Sequence, residues 1–384
     1  MKGTAFLASL LLLRSAPAAD APTVSWALPP ELQQKANDAV RRGRDSLLAA
    51  QKPDGSFGEL NANGSFPQGL TALCMLALLK SGVDPDAPAV QKGFAFCRKR
   101  DDKKVYSTGT LLMALEARRE KKPKDSEGLA WMEQLTQWLL EHREDSTLVK
   151  GDKPAQVWSY PSPRPAHLGD NSILQYALLG LKSARRCGIK VPKEAFWGPL
   201  RHLLEAQEKA PAGAVPAAPD PKDDRRGAPP GIPRGWGYRP GERPAPSGSL
   251  TCAGLAGMLL ARSELLEDAD YQKAWTGRVD QSVSDGFAWL GRNFSVKENP
   301  QGIPTFLFYY LYGIERCGAM GRTESMGGHF WYREGAEDLC RTQQKDGSWE
   351  HPMQTSFALL FLQRATPQVQ VPAYEVGGDK PSPP

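Results

Sequence analysis

The feature that most constrains this fold is an alternation of two kinds of helical segment. One kind carries an apolar stripe opposite a charged face, and it recurs six times along the chain. The other kind is apolar on all sides in its first turns, and one such segment follows each striped segment. A helix that is apolar all round must be buried, whereas a striped helix faces solvent on one side. The alternation therefore predicts six inner helices surrounded by six outer helices.

These twelve predicted helices make the chain all-α. The outer helices are predicted at Glu31–Ala50, Ala87–Arg98, Glu127–His142, Lys193–Gln207, Ala274–Asn293 and Phe330–Gln344. The inner helices are predicted at Leu70–Lys80, Ser107–Ala117, Asn171–Arg186, Leu250–Arg262, Thr305–Cys317 and Thr355–Arg364. A strand interpretation fails, because strict alternation of apolar and polar residues is nowhere sustained. Gly82, Gly188 and Gly318 follow inner helices and predict left-handed helix caps.

A turn of fixed spacing follows the first and the last outer helix. In each copy a glutamine precedes a glycine by four residues, and an aromatic residue comes two residues later. The two copies are Gln51, Gly55 and Phe57, and Gln343, Gly347 and Trp349. The glutamine can bond backbone carbonyls at the helix end and in the following turn, and the aromatic ring can stack over that end. We therefore predict a structural role for these residues, with 235–238 as a third copy.

The glutamine turn resembles the QW motif of the squalene–hopene cyclase and terpenoid cyclase family. Six pairs of helices resemble the α6/α6 toroid shared by those cyclases and the β-subunits of protein prenyltransferases. The likeness covers residues 30–365, and it places the chain nearest the prenyltransferase/squalene-cyclase repeat proteins. This resemblance implies a closed ring of six inner and six outer helices in which the two ends of the domain lie close together.

The cyclases start their reaction with a protonated acid in an Asp-x-Asp-Asp motif at the start of an inner helix. The matching residue here is Asp170, at the start of the third inner helix, but Leu168 and Asn171 replace the flanking acids. A lone carboxyl at a helix N-terminus has its charged form favoured by the helix dipole, so we expect a lowered pKa. Two interpretations follow. Asp170 caps the helix, or it acts as a general acid with His167 as a hydrogen-bond partner.

Protein prenyltransferases bind zinc through an Asp and a Cys before one inner helix and a His at the start of the next. The corresponding positions here carry Ile303, Thr305 and Gln354, so the sequence predicts no metal and no other cofactor. The Cys-Gly-Glu-Gln of thioester proteins and the Gly-x-Ser-x-Gly of serine hydrolases are also absent. Whether the protein is an enzyme therefore stays open, because the resemblance favours catalysis and the altered motifs disfavour it.

Aromatic residues are the candidates for lining a cavity inside the inner helices. They are Tyr176, Trp236, Tyr238, Phe306, Tyr309, Tyr310 and Phe357. Such a lining suits a hydrophobic ligand and, in a cyclase, the stabilisation of a carbocation. The alternative is that these rings simply fill the space between the helices. Tyr309 and Tyr310 are adjacent and so point about 100° apart on a helix, which prevents both from facing the centre.

The ends of the chain and one internal segment break the helical pattern. Residues 1–18 carry a positive charge at Lys2, continue with an apolar run and end in Ala-Pro-Ala. This pattern predicts a secretory signal peptide, with a core helix as the alternative. Residues 209–231 contain 15 Ala, Pro or Gly among 23 residues, which predicts a flexible surface insert. Residues 366–384 show no periodicity and are predicted to be a disordered tail.

Composition and charge limit the partners. The net charge is only +5, and no stripe of Lys and Arg is interleaved with aromatic residues, so we expect no nucleic acid. No apolar run is long enough to span a membrane. Six cysteines lie mostly within apolar helical patterns, and we expect no disulfide between Cys187 and Cys317.

The sequence thus predicts an exported toroid with degraded catalytic motifs that binds a hydrophobic ligand or a protein partner. The alternative is an active isoprenoid cyclase or prenyltransferase that uses Asp170 as its acid. Neither interpretation fixes an oligomeric state.

Overall fold

The computed structural model describes residues 27–58, 66–100, 103–150, 155–159, 169–218, 220, 222–223, 225, 227–239 and 246–371. The predicted signal peptide, His167 and residues 372–384 lie outside these ranges. Within them the chain is mainly α-helical, as predicted. No helix in the described ranges is both long enough and apolar enough to cross a membrane.

Thirteen α-helices, one 3-10 helix (Pro304–Phe306) and two short hairpins are the regular elements of the described part of the chain. The helices are α1 (Pro30–Ala49), α2 (Pro67–Lys80), α3 (Pro88–Lys99), α4 (Val105–Lys121), α5 (Ser126–Glu141), α6 (Asn171–Arg186), α7 (Glu194–Ala206), α8 (Gly248–Leu265), α9 (Ala269–Ala274), α10 (Thr276–Arg292), α11 (Leu307–Gly321), α12 (Trp331–Thr342) and α13 (Pro352–Leu362). The antiparallel hairpins are β1 (Glu144–Ser146) with β2 (Ala155–Val157), and β3 (Ser325–Met326) with β4 (His329–Phe330).

Six of these helices are the predicted inner helices, namely α2, α4, α6, α8, α11 and α13. In α2 every residue from Pro67 to Leu79 is buried, which is the environment that its apolar sequence requires. Each inner helix packs against the next one in the chain, and α13 packs against α2. At the outer layer, α1 packs against α12 and α13, so the first and last helices are neighbours.

Local sequence fixes where the helices begin and end. Proline occupies the first turn of α1, α2, α3 and α13, where its missing N–H is not needed. Gly82 and Gly188 follow α2 and α6 with φ of +92° and +87°, as predicted for left-handed caps. The prediction for Gly318 is wrong, because α11 continues to Gly321 and the left-handed residue is Arg322. Gly318 is needed for a different reason, since a Cβ there would lie 2.3 Å from the ring of Trp331.

Each glutamine turn connects the end of one outer helix to a neighbouring outer helix through hydrogen bonds. Gln51 Nε2 donates to the carbonyl oxygens of Gly55 (3.0 Å) and Ala89 (2.8 Å). Gln343 Nε2 donates in the same way to Gly347 and Ala39, at 2.8 Å each. The second bond of each pair reaches a neighbouring outer helix. In the case of Gln343 that helix is α1, so this bond joins the two ends of the helical domain.

A third copy of this turn encloses the predicted insert. Gln207 Nε2 donates to the carbonyl oxygens of Arg234 (3.1 Å) and Ser282 (3.0 Å), and Trp236 follows Arg234 at the usual spacing. The described residues of the insert have no regular secondary structure, as its composition suggests, but they make specific contacts. Asp220 Oδ2 accepts hydrogen bonds from Ser325 Oγ (2.6 Å) and Gly328 N (2.8 Å), which attaches the insert to the β3–β4 hairpin.

Tryptophans after three outer helices share one contact. The indole Nε1 atoms donate to carbonyl oxygens in the last turn of the preceding outer helix. The pairs are Trp158 with Leu139 (2.9 Å), Trp236 with Leu203 (2.9 Å) and Trp349 with Leu339 (3.0 Å). Carbonyl oxygens in the last turn of a helix are available to side-chain donors, and each indole N–H uses one of them. The sequence suggested Trp158 only as one of several aromatic residues near the ends of the inner helices and not as part of this repeat, because the β1–β2 hairpin separates it from α5.

Candidate functional site

The first turns of the inner helices bring a group of aromatic rings together. We call Tyr106, Tyr176, Phe306, Tyr309, Tyr312 and Phe357 the aromatic cluster. Ring centroids are 4.1 Å apart for Tyr106 and Tyr176, and 6.4 Å apart for Tyr176 and Tyr309. Phe357 lies 5.8 Å from Tyr309 and 5.9 Å from Tyr312. The cluster therefore joins α4, α6, α11 and α13 across the space that the inner helices surround.

The aromatic cluster reaches the protein surface at one side. Phe306 is 38% exposed and its ring centroid lies 6.2 Å from that of Tyr309, which is half-buried. Ile303, three residues before Phe306, is 58% exposed. An exposed apolar rim that leads to buried rings is a feature of hydrophobic binding sites.

A buried arginine lies beneath the cluster. Arg316 is 1% exposed, and its guanidinium carbon lies 4.3 Å from the ring centroid of Tyr312 and 5.4 Å from that of Tyr176. Tyr309, Tyr312 and Arg316 are spaced by three and four residues on α11, so they share one face of that helix. The Nε and Nη1 atoms of Arg316 have no hydrogen-bond partner. The sequence analysis missed this residue, although a charge in an otherwise apolar stretch of an inner helix is the signal that could have identified it.

Two buried residues of α6 face the same region. Gln175 Nε2 donates a short hydrogen bond to the hydroxyl oxygen of Tyr309, while Gln175 Oε1 has no partner. The hydroxyl of Tyr176 lies beside the guanidinium of Arg316 without completing a hydrogen bond of normal geometry. We call Gln175, Tyr176 and Arg316 the polar centre. Each has a buried polar atom with no partner, and such atoms are uncommon inside proteins.

Glu315 points toward the opposite end of the inner helices. Its carboxylate oxygens accept hydrogen bonds from Thr366 N (3.0 Å) and Thr366 Oγ1 (2.6 Å). Burial raises the pKa of Glu315 to about 7, although both bonds from Thr366 lower it. Thr366 and its two neighbours line a cavity of about 20 Å³ together with residues near the C-terminal ends of inner helices. That space is about the size of one water molecule, so this end of the inner helices is filled.

Asp170 caps α6, and it does so in a buried site. Its Oδ1 accepts from Ser172 N (2.9 Å), Ile173 N (3.2 Å) and Ser172 Oγ (2.6 Å), which is the predicted cap. The side chain is 0% exposed, and burial raises its pKa, while hydrogen bonds from Ser172 and Tyr238 lower it. The expectation of a lowered pKa is therefore wrong, because loss of solvation outweighs the helix dipole and these bonds.

A buried histidine that the sequence analysis missed lies next to the Asp170 turn. His202 Nδ1 is 2.8 Å from Ser146 Oγ, and a Cβ on Gly169 would lie 2.7 Å from the His202 ring. Burial lowers the pKa of His202 to about 4, so the ring is neutral at pH 7. His202 lies on the buried side of the outer helix α7, where the amphipathic pattern alone makes it look like a core residue.

Several predicted cavity residues lie elsewhere. Trp236 packs between α8 and α10, since Cβ atoms on Gly254 and Gly286 would lie 2.4 Å and 2.8 Å from its ring. Tyr310 packs against Gly248, the first residue of α8. This agrees with the expectation that Tyr309 and Tyr310 point about 100° apart and do not both face the centre. Tyr238 lies beside Asp170. These three placements differ from the predicted cavity lining, whereas Tyr176, Tyr309 and Phe357 lie together and Phe306 forms the exposed rim.

The cysteines and the possible metal ligands are the last features of the described residues that bear on chemistry. All six cysteines lie within the described ranges and are free thiols. In those ranges, no group of three or more His, Cys, Asp or Glu side chains is arranged to share a metal ion.

Comparison with known structures identifies terpenoid cyclases as similar folds. The type II terpene cyclase MstE from Scytonema aligns with a TM-score of 0.50 and 12% identity, covering 86% of this chain and 98% of that chain. A variant of MstE in complex with its product, merosterolic acid A, aligns with a TM-score of 0.50 and 12% identity over 88% of this chain and 98% of that chain. No family model matches the sequence, and no curated protein matches it. The fold agrees with the resemblance that the glutamine turns indicated.

Proposed function

We propose that this protein is an exported, closed α6/α6 toroid that binds a hydrophobic, isoprenoid-like ligand at the aromatic cluster. The observation that carries the proposal is the meeting of aromatic rings from four inner helices beneath an exposed apolar rim. The continuous packing of inner helices, including α13 against α2, supports the closed ring. The similarity of the fold to MstE, which was solved with a terpenoid product, supports the choice of ligand class.

Binding without catalysis accounts best for the residues at the cluster. The aromatic faces offer dispersion and cation–π contacts, and the described cluster contains no carboxyl group that could donate a proton to an alkene. Asp170, the residue that matches the cyclase acid, uses Oδ1 to cap α6. An isoprenoid lying along the cluster would be held by Phe306, Tyr309 and Phe357.

A second candidate function is isoprenoid cyclisation with Asp170 as the acid. Its specific support is the burial of this carboxyl, which raises its pKa and so favours the protonated form that a general acid needs. A protein partner docked on the exposed rim is a further alternative to a small ligand, and it fits the same apolar surface.

Two phenylalanines of α13 give a matched test of the binding proposal. Phe357 contacts Tyr309 and Tyr312 in the cluster, whereas Phe361, one turn later, contacts Trp331 and Tyr332 away from it. Both rings are buried, so Phe→Leu should destabilise the protein similarly at either position, by about 1 kcal/mol. We expect Phe357→Leu to weaken farnesol binding, measured by calorimetry, at least fivefold, and Phe361→Leu to leave it unchanged. Equal effects of the two variants, or no binding of farnesol and its isoprenoid derivatives by the wild type, would refute the proposal.

A further inference from the structure

Arg316 differs from two other arginines of the inner helices in having no acidic partner. Arg262 on α8 pairs with Asp280 at 3.0 Å, and Arg186 on α6 pairs with Glu116. Among the described residues Arg316 forms no ion pair, and its sequence neighbour Glu315 is bonded to Thr366 instead. A guanidinium stays charged at any physiological pH, and a buried charge without a partner is costly. The faces of Tyr176 and Tyr312 compensate this charge only in part.

The polar atoms without partners around Arg316 indicate which groups a ligand would have to supply. Nε and Nη1 of the guanidinium need acceptors, and the hydroxyl of Tyr176 can donate or accept. A ligand oxygen that carries negative charge would satisfy both the guanidinium donors and the charge. Charge-assisted hydrogen bonds of this kind are roughly twice as strong as neutral ones.

A path of ring contacts leads from the surface to this arginine. Exposed Phe306 contacts half-buried Tyr309, Tyr309 stacks on buried Tyr176, and Tyr176 lies against Arg316. The order of contacts is apolar at the rim and cationic at the base. It matches a molecule with a hydrocarbon body and one polar end that enters with the polar end first.

We propose that the ligand is a monoanionic amphiphile, whose carboxylate pairs with Arg316 while its isoprenoid chain lies along the aromatic cluster. This inference rests on the proposed function and specifies its ligand class. One negative charge balances one guanidinium. The polar centre contains no second Lys or Arg, and Glu315 is the next residue along the helix, so a diphosphate would bring more negative charge than this site neutralises.

The test compares ligands that share one chain and differ in the head group. Farnesoic acid, methyl farnesoate, farnesol and farnesyl diphosphate are titrated into the full-length protein at pH 8 by calorimetry. We expect the wild type to bind farnesoic acid at least tenfold more tightly than the ester or the alcohol, and more tightly than the diphosphate. Arg316→Gln should lower the affinity for the acid to that for farnesol, while the affinity for farnesol stays unchanged.

A paired substitution controls for the loss of a buried arginine. Arg262→Gln with Asp280→Asn removes a buried guanidinium of an inner helix together with its partner's charge. It should leave the tenfold preference for the acid intact. If Arg316→Gln does not fold, the comparison of acid with ester in the wild type still tests the proposal, because the ester carries no negative charge to balance the guanidinium.

The outcomes separate this inference from the function it rests on. Equal affinity for acid, ester and alcohol, a preference for the diphosphate, or a preference for the acid that persists in Arg316→Gln would each overturn the carboxylate assignment and leave the isoprenoid proposal standing. Failure of all four compounds to bind would overturn the isoprenoid proposal and this inference with it.

Discussion

Asp170 shows how one residue can satisfy two interpretations. Its Oδ1 caps α6, yet the carboxyl is fully buried and its pKa is raised. A capping residue is usually solvated, and a catalytic acid is usually dry. Burial alone therefore does not decide the role, and the two functions of the side chain must be separated by substitution.

Asp170→Asn keeps an acceptor for the helix N–H groups and removes the proton. Under the capping interpretation we expect unchanged ligand binding and a melting temperature close to that of the wild type, because Asn caps about as well as Asp. Asp170→Ala should cost about 1 kcal/mol, measured by thermal unfolding. Formation of a cyclic product from squalene or geranylgeraniol that Asp170→Asn abolishes without a change in melting would instead establish the cyclase function.

The sequence predicted the residues that pack and missed the residues that carry charge. Tyr176, Tyr309 and Phe357 could be found because aromatic residues in a helix that is apolar on all sides are expected to be buried. The charges of Arg316 and Glu315 on an apolar inner helix were visible, but the sequence does not show which partners distant segments bring to these residues or to His202. The pKa of Asp170 was misjudged for the same reason, since the sequence does not show that the fold buries this carboxyl completely.

At the level of elements, the glutamine turn is the unit that repeats. In three copies one side-chain amide bonds a carbonyl in its own turn and a carbonyl of a neighbouring outer helix. The spacing of glutamine, glycine and aromatic residue made two copies visible in the sequence. The copy at Gln207 could only be suggested from Trp236, because 26 residues separate the glutamine from the carbonyl of Arg234 that it bonds.

Gln343 and its neighbour Gln344 provide a test of this turn. Gln343 bonds two backbone carbonyls, one of them in α1, whereas Gln344 is exposed and accepts one bond from Ser348 Oγ. We expect Gln343→Ala to lower the free energy of unfolding by about 1 to 3 kcal/mol, because two hydrogen bonds from the side-chain amide are lost. Gln344→Ala should change it by less than about 0.5 kcal/mol. Urea denaturation measures both, and equal effects would show that the turn does not hold α12 to α1.

For the whole molecule, the two ends of the inner helices differ in character. One end exposes Phe306 and Ile303 above the aromatic cluster, and the other is filled by the segment around Thr366. The bonds from Thr366 to Glu315 attach this segment, and the residue that receives them titrates near neutral pH. The stability of the filled end is therefore linked to pH.

The substitution Glu315→Gln replaces the titratable carboxyl with an amide of nearly the same shape. The pKa of Glu315 is about 7 in the folded protein, against an ordinary value of 4.5, so between these pH values the folded state binds more protons than the unfolded state. Stability from this group is thus present below pH 4.5 and is lost as pH rises through 7. We expect the free energy of unfolding of the wild type to fall relative to that of Glu315→Gln over this window, by roughly 1 to 3 kcal/mol.

Chemical denaturation at several pH values checks this expectation. Glu337→Gln is the control for removing one glutamate, because Glu337 is exposed on α12. Parallel pH profiles for the wild type and Glu315→Gln would contradict a raised pKa at Glu315.

The insert between Gln207 and Arg234 is a place where the chain can become longer without disturbing the flanking helices. Its two ends are held together by the bond from Gln207 Nε2 to the Arg234 oxygen and by the bond from Glu208 N to the Gly235 oxygen, at 3.0 Å. The entropy of closing a flexible loop grows only slowly with its length. Additional sequence at this point would therefore cost little stability and leave both flanking helices in place. The same junction is a site at which evolution, or a protein engineer, can insert a new module between α7 and α8.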